Sequence, residues 1–180
     1  MTRADYDLAK DYFALLDLPR RQHLDREDLE RRYHEVQAQV HPDKHAHLSD
    51  QQKRLAMQWA TRANEAYLTL KSPLKRAHYL LQLAGHDPQI ERNTAMPMEF
   101  LVQQMEWREA VEEGRGAGDA EELDALHRRL RKEMSGQYAE LERVLDVAPD
   151  LARAADVVRQ LMFQEKLLHE IDEALAAVEN

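Results

Sequence analysis

Cysteine is absent from this 180-residue chain. That excludes a disulfide framework, a thiolate nucleophile, and cysteinyl ligands for zinc or an iron–sulfur cluster. Glycine and proline are scarce, at five and six residues, and aromatics make up only 6%. Helix-forming residues dominate instead, which argues for an all-α protein. No apolar run approaches the length of a membrane span, so no membrane association is expected. The first ten residues contain Asp5 and Asp7 and lack an apolar core. Neither a secretory signal nor a mitochondrial presequence is expected, and the cytoplasm is the default location. The length suits one medium domain or two small ones.

The net charge of −9 is unevenly spread. Residues 1–86 hold 14 Lys/Arg against 12 Asp/Glu and seven of the nine His, whereas residues 87–180 hold 11 against 22. Two halves of such different balance suggest surfaces meeting different partners. The acidic half speaks against a nucleic-acid ligand. An ordinary solvated acidic face is the alternative.

Along the chain, a short apolar segment from Asp11 to Leu16 closes at Leu18-Pro19. Asp25 is a candidate N-cap, with Glu27 and Asp28 favouring the first turn. From there Leu29, Tyr33, Val36 and Val40 recur at helical spacing until Pro42 stops the run. Ser49 or Asp50 can cap the next helix, whose core positions read Leu55, Trp59, Ala63, Ala66, Tyr67 and Leu70, with Ser72-Pro73 ending it. A helix from Leu74 to Leu83 carries Leu80, Leu81 and Leu83 and ends at Gly85. Residues 86–97 contain Asp87-Pro88, Asn93-Thr94 and Pro97 and read as a linker.

A helix over Met98 to Glu113 follows, then Gly114-Arg115-Gly116-Ala117-Gly118. With Asp119 as a cap and Glu122 three residues on, this stretch reads as a hairpin between antiparallel helices. A phosphate cradle would need a preceding strand and a lysine near its end. Leu123, Leu126, Leu130, Met134, Tyr138, Leu141 and Leu145 stripe the next helix, Pro149-Asp150 breaks and recaps the chain, and the last helix is expected to bury Ala154, Val158, Leu161, Leu168 and Leu175. Three long helices with short connections make an antiparallel three-helix bundle. The expected domains are thus residues 1–85, a linker over 86–97, and a bundle over 98–180.

Two features carry functional information. His41-Pro42-Asp43 falls where neither flanking helix can continue, a stiff loop tip holding two polar groups apart. It has the character of a contact. His41, His45 and His47 are close enough in sequence to raise a zinc site, and a metallohydrolase with it. No suitably spaced acid other than Asp43 completes the set, and a surface histidine cluster is the preferred reading. No nucleophile–base pair or carboxylate dyad has a catalytic spacing, so neither an enzyme nor a cofactor is expected. The second feature is the helix from Met98. Phe100, Trp107 and Val111 project within about 40° of one another, with Ala110 beside them, and form the core stripe. Leu101, Val102 and Met105 project to the other side among Glu106, Glu109 and Glu113. A second apolar stripe rimmed by carboxylates suits a partner site. Phe163, off the stripe of the last helix, could join that patch if the bundle brings the two helices together.

The amphipathic helix, the His41-Pro42-Asp43 loop, and a longer helix ending on Asn64-Glu65-Ala66-Tyr67 together resemble the J domain over residues 11–75. That resemblance implies stimulation of a DnaK-type chaperone's ATPase, with His41, Pro42, Asp43 and Lys44 in contact and Arg31 and Arg32 as the basic face. Glu35 intrudes on that face, and Gln37, Ala38 and Gln39 are neutral. Steering to an acidic partner is therefore expected to be weak unless Lys44, Lys53 and Arg54 contribute. Asp11-Tyr12-Phe13 with Leu18-Pro19, His41-Pro42-Asp43-Lys44, Arg76-Ala77-His78-Tyr79-Leu80-Leu81, and Phe100 through Glu109 together resemble the HscB-type J-proteins, which pair a J domain with a three-helix bundle. The resemblance implies delivery of an IscU-like iron–sulfur scaffold protein to an HscA-type chaperone. By it, the scaffold-binding residues are Leu101, Val102, Met105, Glu106, Glu109, Glu113 and Phe163. A general holdase for unfolded chains is the alternative reading. Nothing demands more than a monomer.

Overall fold

The computed structural model describes residues 7–40, 49–86 and 96–179. Among them there are seven α-helices and no strand. The chain divides into two compact units, Met1–Leu80 and Leu81–Asn180. The division falls inside the fourth helix, ahead of the 86–97 segment that the sequence marks as a linker.

In the first unit, α1 (Tyr12–Leu15) starts at Asp11, whose carboxylate accepts from the Phe13 and Ala14 amides at 2.9 and 3.0 Å. α2 (Arg26–Gln39) starts at Asp25, which accepts from Glu27 and Asp28 as the capping pattern expects. α3 (Asp50–Lys71) opens with a capping box: the Ser49 hydroxyl accepts from the Gln52 amide while the Gln52 side chain accepts from that of Ser49. α4 (Pro73–Leu83) follows Ser72, with proline in its first turn, where a missing N–H costs nothing. The α2–α3 hairpin is clasped by stacked rings of Tyr33 and Tyr67, 4.2 Å between centroids, with the Tyr33 hydroxyl donating to Asn64 Oδ1 at 3.1 Å. Ala66 is fully buried on the same helix. The Asn64–Tyr67 motif is thus a structural clasp. Leu55 and Tyr67 are half-buried, and Ala56 takes the buried position. On α4, Leu74, Ala77 and Leu81 are buried, while Leu80 and Leu83 are half-buried.

The second unit is the bundle of α5 (Met98–Ala117), α6 (Ala120–Glu142) and α7 (Leu151–Glu179). α5 runs beyond Glu113 to Ala117, which corrects the expected five-residue hairpin. Gly114 and Gly116 are helical, and only Gly118, at φ +65°, makes the left-handed cap. Gly114 is buried, and a Cβ there would stand 3.0 Å from Leu123 Cδ2, so the site suits glycine. Asp119 caps α6 through the Glu122 amide, as expected. α6 gives way to a π-helical turn, Arg143–Val147, so the core passes to Val144 and leaves Leu145 half-buried. Asp150 recaps the chain by accepting from the Arg153 amide at 3.0 Å.

α7 corrects a second expectation. Ala154, Val158 and Leu161 are buried, but the core then continues through Leu167, Ile171 and Ala174. Leu168 and Leu175 are half-buried. Seven residues do not make a whole number of turns, so a stepped heptad slides round the helix.

Candidate partner-binding faces

The loop expected to contact a chaperone lies outside the described residues: His41, Pro42, Asp43 and Lys44 all fall in 41–48, as do His45 and His47. The described part of that face is α2. Arg31 Nη1 donates to Glu35 Oε1 at 3.2 Å and Nη2 to Asp28 Oδ1. Arg32 Nη1 donates to Asp17 Oδ2 at 2.7 Å, with Asp28 Oδ1 3.7 Å from its Nε. Asp17 holds a left-handed backbone, φ +53°, which aspartate tolerates better than most residues. Beside it a cavity of about 360 Å³ is lined by Lys10, Asp17, Arg32 and Glu35 over apolar walls of Leu15, Val36 and Trp59. Two cations and two anions face one another there. The expected basic face is therefore locally neutral, because each arginine is held by carboxylates of its own domain.

α5 differs. Phe100, Trp107 and Val111 are buried as the helical projection expects, with Ala110 half-buried at the edge. The Arg129 guanidinium lies over the Trp107 ring at 4.7 Å, and Arg108 Nε pairs with Glu170 Oε2 at 3.2 Å. The other face is open: Val102 is 46% and Met105 70% exposed, with Leu101 half-buried. Glu106, Glu109 and Glu113 are exposed, and none forms an ion pair among the described residues. Acidic residues on α6 and α7 commonly do, as in Asp124–Arg128, Glu140–Arg143, Asp156–Arg159 and Glu170–Arg108. Phe163 is half-buried and meets Phe100 edge-on, with ring centroids 6.4 Å apart. α7 thus brings Phe163 to the first turn of α5, through a residue of the core stripe.

Sequence reasoning missed part of this face. Met98 is 73% exposed, one heptad before Met105 and on the same side, and that spacing was available to find it. Pro97, Met98, Glu99, Phe100, Val102, Gln103, Glu106 and Gln160 enclose an open cavity of about 690 Å³. No periodicity in α5 could have brought in Gln160, which lies on another helix. Beneath the face, Gln104 is buried with neither amide atom hydrogen-bonded among the described residues. Among the described residues no group of three His, Asp or Glu is placed to hold a metal ion.

Residues 96–172 match the family model described as the HSCB C-terminal oligomerisation domain. The co-chaperone protein HscB homologue of Aromatoleum aromaticum is 57% identical over 96% of this chain and 98% of its own. That of Azoarcus sp. is 56% identical over 97% and 98%. The chain belongs to the HscB co-chaperone family. Among solved structures, the HscB chaperone of Vibrio cholerae matches with a TM-score of 0.81 and 32% identity, over 94% of this chain and 99% of that one. The human co-chaperone protein HscB matches with a TM-score of 0.84 and 26% identity, over 93% and 83%. The fold is accordingly that of HscB: an N-terminal J-domain hairpin and a C-terminal helical bundle.

Proposed function

We propose that this chain stimulates the ATPase of an HscA/DnaK-type chaperone through His41, Pro42, Asp43 and Lys44, and delivers to it an IscU-like iron–sulfur scaffold protein held on α5. The observation that carries the reading is the open face of α5. Exposed Met105 and Val102 lie beside glutamates that form no ion pair among the described residues, on a bundle of the HscB family. Apolar anchors supply the association energy, and the carboxylates select and orient a basic partner. Leu101, Val102, Met105 and Phe163 are the anchors in this reading; Glu106, Glu109 and Glu113 are the rim. The chain supplies no reacting group. It acts as a monomeric adaptor in the cytoplasm, with residues 86–97 as the linker between its two domains. Among the described residues no helix is long and apolar enough to cross a membrane. A general holdase would present a broad, flexible apolar surface, whereas this one is narrow and acid-rimmed.

The test is the Asp43→Asn variant, in single-turnover ATPase assays with the chaperone and in calorimetric titration with the scaffold. Stimulation is expected to vanish while scaffold affinity stays at the wild-type value. Undiminished stimulation would remove the loop from the mechanism. Sedimentation of the chain alone checks the monomer, and a stable dimer would replace it.

A further inference from the structure

We infer that the cavity at the N-terminal end of α5 is a socket for a lysine or arginine side chain of the bound protein, with Glu99 and Glu106 as its counter-ions. The inference rests on the scaffold-binding reading and adds residues which that reading does not include. The cavity, about 690 Å³, lies within the range of roughly 300–1,000 Å³ typical of ligand pockets. It has room for a long side chain and its neighbours.

Its lining is chemically lopsided. Met98, Phe100, Val102 and Pro97 supply apolar wall, and Gln103 and Gln160 supply amides. Glu99 and Glu106 supply two negative charges, and among the described residues no lining residue is cationic. Neither glutamate forms an ion pair among the described residues, although nearby Arg108 and Arg159 are each paired with other acids. Gln160 is fixed from behind, its Oε1 accepting from Gln137 Nε2 at 3.3 Å. Apolar walls with a doubly acidic, amide-bearing rim fit a group with an aliphatic stem and a donor-only cationic head. An anion would meet like charge, and a wholly apolar side chain would leave both carboxylates without a partner. The occupant is therefore a basic residue of the partner, its stem along Met98 and Val102.

The test titrates the full chain with the scaffold protein at low and high salt, comparing wild type with Glu99→Gln and Glu99→Lys. About tenfold weaker binding is expected for Glu99→Gln and more for Glu99→Lys, with a shallower salt dependence in both. Unaltered affinity in Glu99→Lys would overturn the socket even if the apolar face still bound. A second readout does not need the scaffold: the Met98 methyl and Gln160 side-chain amide NMR signals during addition of an Ala-Lys-Ala or Ala-Leu-Ala peptide. Shifts confined to the lysine peptide support the socket, and equal or absent shifts overturn it. Failure of wild-type chain to bind the scaffold, with lysine-selective shifts present, would overturn the proposed function and leave the socket supported.

Discussion

α2 and α5 present charge in opposite ways. On α2, Arg31 and Arg32 are held by Asp17, Asp28 and Glu35 of the same domain. On α5, Glu99, Glu106, Glu109 and Glu113 have no ionic partner among the described residues and stand beside exposed Met98, Val102 and Met105. An exposed ion pair adds little stability, typically under about 1 kcal/mol, but it does cancel long-range field. The self-paired face thus attracts a charged partner weakly, and the unpaired one attracts strongly. In the proposed function, long-range attraction therefore falls to the scaffold-binding face, and α2 itself offers the chaperone little.

The largest effect is expected on α5. Combining Leu101→Ala with Met105→Ala should weaken scaffold binding by about 2–4 kcal/mol, the usual scale for central anchors. Circular dichroism should show an intact bundle, because Met105 is 70% exposed and Leu101 half-buried. Wild-type affinity in the double variant would move the interface elsewhere. A smaller effect sharpens the other half. Glu35→Gln releases Arg31 from one carboxylate, and Asp17→Asn releases Arg32, with asparagine still accommodating φ +53°. Each should raise the stopped-flow association rate with the chaperone by about two- to threefold at low salt. Unchanged rates would mean that the self-pairing of α2 does not govern docking.

The smallest effect is one of pH. Glu140 accepts from Arg143 Nε and Nη2 at 2.8 and 2.9 Å and from Arg153 Nε at 3.5 Å. The Arg143 hydrogen bonds lead in holding its carboxyl down to about 2, from a usual 4.5. A carboxyl depressed by folding contributes its stability fully above the unfolded value, and that contribution is lost as pH falls from 4.5 toward 2. Wild type should therefore melt slightly above Glu140→Gln at pH 6, and the gap should close by pH 2. A gap that widened on acidification would contradict the sign.

Much of this architecture was legible because the signals are local. Asp25, Ser49, Asp119 and Asp150 each cap the helix expected of them, through side-chain geometry spanning three residues. The core stripe of α5 followed from a 100° step per residue. Where reading failed, the cause was tertiary. The run Gly114 to Gly118 has turn composition, but the helix continues to Ala117, with Gly114 packed close against Leu123. Leu168 and Leu175 look like core in a heptad count, yet the buried face of α7 has slid round to Leu167, Ile171 and Ala174. The arginine pairing on α2 needed Asp17, which lies far off in sequence, and the socket needed Gln160 from another helix. The second stripe on α5 was readable. That its glutamates have no ionic partner among the described residues depends on the packing of other helices and was not.

The most direct test of this division of labour is the salt dependence of the two binding reactions, measured with wild-type chain by calorimetry from low to physiological ionic strength. Scaffold affinity should fall steeply with added salt and chaperone affinity only slightly. A steeper fall for the chaperone than for the scaffold would contradict it.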